Sequence, residues 1–171
     1  MSRGSMSGSS GRDARPILFA ISLLVILVDR LTKIWVGKHL SLGQAITVIP
    51  NVFRITHVLN TGAAFSMFET AKNPEIVRYA LIAFSVIAIV AVLIALWRTG
   101  RAVSLMSVSL ALILGGALGN LYDRLWFKYV VDFLEVHIVH YHWPDFNVAD
   151  SCIVVGACLL LLELLRPQRA D

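Results

Sequence analysis

Two stretches of the chain carry no charged residue over the length that an α-helix needs to cross a bilayer, Tyr79 to Trp97 and Ala102 to Tyr122. Each is close to the ~20 residues required. Backbone in hydrocarbon must satisfy its own N–H and C=O groups, so stretches of this kind read as transmembrane helices. Two further apolar runs, Ile17 to Val28 and Ser151 to Leu162, reach spanning length only by including an acid: Asp29 after the first, Asp150 before the second and Glu163 after it. Composition agrees, with 57% of the 171 residues hydrophobic and 15% charged, against roughly 25% charged in soluble domains. The expected fold is an integral membrane protein, mainly α, with four transmembrane helices in a single domain over residues 16–171.

Residues 1–15 are polar, rich in Ser and Gly, and have nothing to pack; Met1–Ser5 reads as an expression scar ahead of Met6. No small-x-small cleavage site follows Val28, where D-R-L-T-K comes instead, so the first span is expected to stay attached. Arg3, Arg12, Arg15, Arg98, Arg101, Arg166 and Arg169 are concentrated in short segments, and that density of positive charge places both termini on the cytoplasmic side. Asp29, Asp123 and Asp150 then share the outer membrane edge. The net charge of +4 has no basic helix face that would suit nucleic acid, and contact with anionic lipid accounts for it. Cys152 and Cys158, six positions apart on one helix, are too far apart for a disulfide and read as packing residues.

The two outer connections are the long ones. Ala45 to Met67 is rich in β-branched and aromatic residues, with turn signals at Pro50-Asn51 and Asn60-Thr61-Gly62, and predicts a small extracytoplasmic strand meander. The segment Tyr129 to Val139 predicts another extended piece, on which Asp132 shares a face with Val130, Leu134, Val136 and Ile138, while Glu135 lies on the opposite face.

An acid in or beside hydrocarbon is costly and calls for a reason. Asp29 has Lys33 four positions on, the spacing of a structural ion pair on one helix face. Asp123, next to Arg124 and three after Asn120, suits either a helix-end network or a substrate-binding cluster. Asp145 follows Pro144 in a loop and reads as solvated, while Glu135 and Glu163 read as structural. Asp132 and Asp150 have no cation at an obvious spacing. Asn147 is a good N-cap, with Asp150 at the third helical position, where the positive end of the helix favours an anion. Capping alone would explain that placement. Brought beside a second acid, however, Asp150 would form a pair that cannot easily ionise together. A pair sharing one proton can serve as general base toward water and general acid toward a leaving amine, with no metal, cofactor or covalent intermediate.

Other chemistries fit less well. The chain has neither H-E-x-x-H nor G-x-S-x-G, and Ser66 and Ser151 have no evident His partner. His137, His140 and His142 have a spacing able to hold a metal, yet at a membrane surface they read as interfacial polar groups. Gly115 to Gly119 contains G-x-x-x-G, a signal for close helix contact. A proton-coupled transporter using intramembrane carboxylates is the alternative reading, although it calls for acids at mid-depth.

Five blocks in order, D-R-L-T-K (29–33), N-T-G-A-A-F-S (60–66), G-G-A-L-G-N-L-Y-D-R-L (115–125), V-V-D-F-L (130–134) and F-N-V-A-D-S (146–151), resemble the signature blocks of bacterial lipoprotein signal peptidase, signal peptidase II. The resemblance runs from about residue 17 to 165. It implies an aspartic endopeptidase of the bacterial inner membrane that cleaves the signal peptide of a prolipoprotein before its diacylglyceryl-modified cysteine. On that resemblance Asp132 and Asp150 are the catalytic pair. Asn60, Asn120, Asp123, Arg124 and Asn147 line the site or orient the aspartates, with Asp29 and Lys33 in the first block. It also implies membrane lipids as partners and inhibition by globomycin-type peptides.

Overall fold

A computed structural model describes residues 13–62, 74–139 and 141–166. Most of the polar tail, Ser66 with the end of the N-T-G-A-A-F-S block, His140 and Arg169 lie outside the described residues.

Four helices and four strands follow one another: α1 (Arg15–His39), β1 (Ala45–Ile49), β2 (Phe53–Asn60), α2 (Pro74–Thr99), α3 (Leu105–Trp126), β3 (Val130–Ile138), β4 (Tyr141–His142) and α4 (Val148–Leu165). Among the described residues, three helices are long and apolar enough to cross a membrane, Glu75–Thr99, Leu105–Trp126 and Val148–Leu165. α1 spans 25 residues but carries Asp29, Arg30 and Lys33.

α3 is the central helix. Of its spanning stretch 56% is buried, against 11% for α2 and for α4, and it packs against all three other helices. Small residues make that possible. A Cβ on Gly115 would stand 2.7 Å from the Ser22 carbonyl of α1, one on Gly116 would strike the Ala149 carbonyl of α4, and one on Gly119 would lie 3.1 Å from Asp29 Oδ2. The G-x-x-x-G signal thus serves two helix contacts on adjacent faces. The helix starts at Leu105, later than the charge-free stretch, because Ser104 and Ser107 form a reciprocal capping box there. Large apolar side chains such as Phe84, Ile87 and Leu164 point outward, the inverse of a soluble protein and what a lipid surrounding requires. Cys158 is among the exposed positions and Cys152 is half-buried, so Cys158 is not the packing residue expected from its neighbours.

The strands form one antiparallel sheet in the order β1-β2-β3-β4. β1 and β2 turn at Pro50-Asn51, where Asn51 has φ of 60°, a left-handed conformation that asparagine tolerates. Between the β2–β3 pairs Ile55↔Leu134 and Val58↔Asp132, β2 has two residues, Thr56 and His57, opposite the single Phe133. This is a β-bulge, and it buries both side chains. His57 Nδ1 lies 2.8 Å from the Leu40 carbonyl at the end of α1, which ties sheet to helix. Clean alternation along β3 fails: Asp132 is buried as expected, but so is Glu135 on the other face. Glu135 is covered by Arg54, which donates to it at 2.5 and 2.6 Å, and by His137 at 3.2 Å. Those Arg54 bonds hold the Glu135 carboxyl below the usual range.

Candidate active site

The end of α3, the start of α4 and the middle of β3 converge on one cavity of about 530 Å³. Asp132 and Asp150 both line it, with Asn60 and Arg124 beside them. Asp132 is buried at 2% exposure, and among the described residues its side chain is bonded by amides rather than by a cation. Asn60 Nδ2 donates to Oδ2 at 2.9 Å and Asn147 Nδ2 to Oδ1 at 2.7 Å. Asp150 Oδ1 accepts from Asn120 Nδ2 at 2.7 Å, and Oδ2 accepts from the Asn147 backbone N–H at 3.2 Å.

Three asparagines therefore present amide N–H groups to two acids, and in each the orientation is dictated from the other end. Asn60 Oδ1 accepts from the Gly62 backbone N–H at 2.9 Å. Asn147 Oδ1 accepts from the Asp150 backbone N–H at 2.9 Å. Asn120 Oδ1 accepts from Lys33 Nζ at 3.2 Å and from Asn147 Nδ2 at 3.3 Å. A carbonyl oxygen is the only amide end able to accept, so these donors leave each NH₂ facing its carboxylate. Gly62 has φ of +108°, a conformation that glycine alone adopts readily, which explains why the turn after Asn60 ends on that residue.

Lys33 belongs to a second cluster behind the first. Its Nζ lies 2.7 Å from both Asp29 Oδ2 and Asp123 Oδ2. Asp29 Oδ1 accepts from the Ala149 backbone N–H at 2.9 Å, and Asp123 Oδ1 from Arg30 at 3.3 Å. Two acids and two bases balance, and the cluster joins α1, α3 and the first turn of α4. The Asp29–Lys33 pair stands at its expected spacing. For Asp123 the helix-end network is what the structure contains: its side chain is spent on Lys33 and Arg30. Arg124 reaches the Asn120 carbonyl at 3.3 Å from the cavity wall.

Burial first, and the charge of Asp150 second, push the Asp132 carboxyl up to about 7. The amide bonds from Asn60 and Asn147 act in the opposite direction. An acid in that range retains its proton while a neighbour is ionised, the condition for a pair that both gives and takes protons.

One expectation is corrected. Asp145 is not a solvated loop residue but a half-buried one on the cavity wall, hydrogen-bonded by Thr56 Oγ1. Its segment is held to β3 through the Leu134↔Phe146 bridge, and Pro144 beside it concealed this from a reading of turn residues. Trp143, Val154 and Val155 also line the cavity without having been singled out. Val154 was findable, because the position four after Asp150 shares its helix face. His137 and His142 flank Glu135 at 3.2 and 3.9 Å, on the sheet rather than in the cavity.

The family model described as signal peptidase (SPase) II matches residues 21–166. The lipoprotein signal peptidase of Pseudomonas putida is 43% identical over 164 residues, 95% of each chain, and that of Burkholderia mallei is 46% identical over 164 residues, 96% of each. A bacterial membrane enzyme solved by the in meso method at 1.9 Å superposes with a TM-score of 0.81 at 27% identity, covering 93% of this chain and 99% of that one. A second, at 2.3 Å, gives 0.77 at 26% identity, with 91% and 95% covered.

Proposed function

We propose that this chain, which belongs to the signal peptidase II family, removes the signal peptide of lipid-modified prolipoproteins with Asp132 and Asp150 as its catalytic pair. Family membership sets the transporter alternative aside. The observation that carries the catalytic assignment is the shared asparagine: Asn147 bonds Asp132 through its side chain and Asp150 through its backbone, at the wall of one cavity.

In this reading the pair holds one proton. The ionised carboxylate takes a proton from water as the oxygen adds to the scissile carbonyl, and the protonated partner supplies a proton to the amide nitrogen as the C–N bond breaks. Asn60, Asn120 and Asn147 hold the carboxylates in place, and Lys33 acts through Asn120.

The same reading makes α1 the fourth span. Its Asp29, Arg30 and Lys33 are balanced together with Asp123 of α3, while Leu23, Leu24, Leu27 and Leu31 are exposed to the surroundings. Both termini are then cytoplasmic, and the acids lie at the outer edge of the bacterial inner membrane. Val154 and Val155, half or more exposed on the membrane side of the cavity, suit the apolar part of the substrate and its acyl chains. Globomycin-type peptides would compete for this cavity. The test is incubation of the purified protein with a lipid-modified precursor, looking for the shortened product, alongside Asp132→Asn and Asp150→Asn. Near-normal turnover in either folded variant would end the dyad assignment.

A further inference from the structure

A third acid faces the cavity, and the mechanism makes no use of it. We propose that Asp145 is a specificity-determining residue that reads the polypeptide on the mature side of the scissile bond and favours a cationic side chain there. The inference rests on the peptidase reading above.

Asp145 is held, not dangling. Thr56, buried at 7% exposure, stands on the β2 bulge and donates its hydroxyl to Asp145 Oδ1. Bulges of this kind re-aim side chains beside active sites. The backbone around Asp145 is fixed as well: the Trp143 N–H donates to the Val136 carbonyl at 2.8 Å, and the Phe146 N–H to that of Leu134 at 3.1 Å. Among the described residues, Asp145 Oδ2 has no hydrogen-bond partner. Arg54, a cation of the same sheet, is bonded to Glu135 through two bonds and attracts Asp145 only through space.

The charge around the cavity is one-sided. Among the described residues that line it, Asp132, Asp145 and Asp150 stand against Arg124, so a single proton shared by the dyad leaves two negative charges and one positive on its wall. Position decides which part of the substrate meets Asp145. Val154 lies six residues into α4, ~9 Å along its axis at 1.5 Å per residue, on the apolar side of the cavity. Asp145 precedes that helix, on the aqueous side. An apolar signal segment belongs with the valines, and the chain beyond the lipidated cysteine belongs with Asp145.

The test uses three lipid-modified precursors that differ only in carrying Lys, Gln or Glu at the two positions after the cysteine. The wild-type protein is expected to show kcat/KM falling in that order, with Lys over Glu by about fivefold, the worth of one half-exposed ion pair. Asp145→Asn, which keeps the Thr56 bond and removes the charge, brings the ratio to near one. Thr56→Val, which leaves the carboxylate without its tether, narrows it and keeps the measurement available if the first variant does not fold. Equal kcat/KM for the three precursors in the wild-type protein, or an undiminished ratio in Asp145→Asn, overturns the proposal alone. Failure of the wild-type protein to cleave any of them overturns the peptidase reading itself.

Discussion

Asn147 donates its side-chain amide to Asp132 Oδ1 at 2.7 Å while serving as the N-cap of the helix that carries Asp150. One buried side chain therefore sets the relative position of two acids from separate elements. Asn147→Ala removes the cap, worth ~1 kcal/mol, and strands a buried acceptor, worth about 1–3 kcal/mol. Thermal unfolding in detergent should show a loss of about 2–4 kcal/mol, and turnover of a lipidated precursor should fall by about 100-fold through misplacement of the pair. Asn147→Ser separates the two effects: serine restores the cap but cannot reach Asp132, so only the ~1 kcal/mol of the cap returns and turnover does not.

The second prediction concerns pH. Asp132 titrates at about 7 in the fold, because of burial and then the Asp150 charge, against 3.8 for an ordinary aspartate. Between those values the folded chain binds a proton that the unfolded chain has released. The contribution of this group to stability therefore falls as pH rises across that window and is level above it. In the proposed mechanism turnover needs the shared proton, so kcat/KM is expected to fall on the alkaline side of about pH 7. Asp150→Asn removes the neighbouring charge and should move the Asp132 titration downward, read from the infrared C=O stretch of its protonated carboxyl. An unmoved midpoint would show that the two acids are not coupled.

Much of this architecture was legible because membrane insertion leaves strong marks. Charge-free runs marked α2 and α3, the misplaced acids Asp132 and Asp150 pointed to elements that meet at one cavity, and G-x-x-x-G marked the close contacts of α3. Asn147 was legible twice over, as a cap and as part of a block. The bonds of Asn60 and Asn120 were not, because they cross between elements whose packing no local pattern encodes. Asp145 was misread for the same reason. Its sequence neighbours signal a turn, and the partner that buries it, Thr56, comes from a bulge that shifts the register of β2. Such a shift reverses the inside and outside of a strand without any change in composition.

Lys33 is the cation on which two buried acids depend, at 2.7 Å from each. Lys33→Met leaves Asp29 and Asp123 with less compensating charge and should cost about 3–5 kcal/mol in unfolding measurements. Pairing it with Asp29→Asn removes one orphaned charge, and Asp123 still has Arg30, so most of that stability should return. Turnover should recover less, because Asn120 Oδ1 has lost the lysine and keeps only the longer bond from Asn147, which loosens the aim of its amide at Asp150. Joint recovery of stability and turnover in the double variant would mean that Lys33 serves packing alone.

Gly116 and Gly37 make a matched comparison, since both lie on helices and differ in what surrounds them. A Cβ at Gly116 would meet the Ala149 carbonyl and lie 2.8 Å from Ile153 Cγ1, whereas one at Gly37 meets nothing within 4 Å. Gly37→Ala should be neutral, or stabilising by up to ~1 kcal/mol through helix propensity. Gly116→Ala should destabilise by about 1–3 kcal/mol through overpacking, because backbone cannot yield as a side-chain tip can. The displaced element would be the first turn of α4, where the Ala149 N–H is bonded to Asp29 and Asp150 to Asn120. Turnover should therefore fall further than stability alone accounts for, measured at a temperature where the variant is fully folded. Wild-type turnover in folded Gly116→Ala would show that the α3–α4 spacing does not set the position of Asp150.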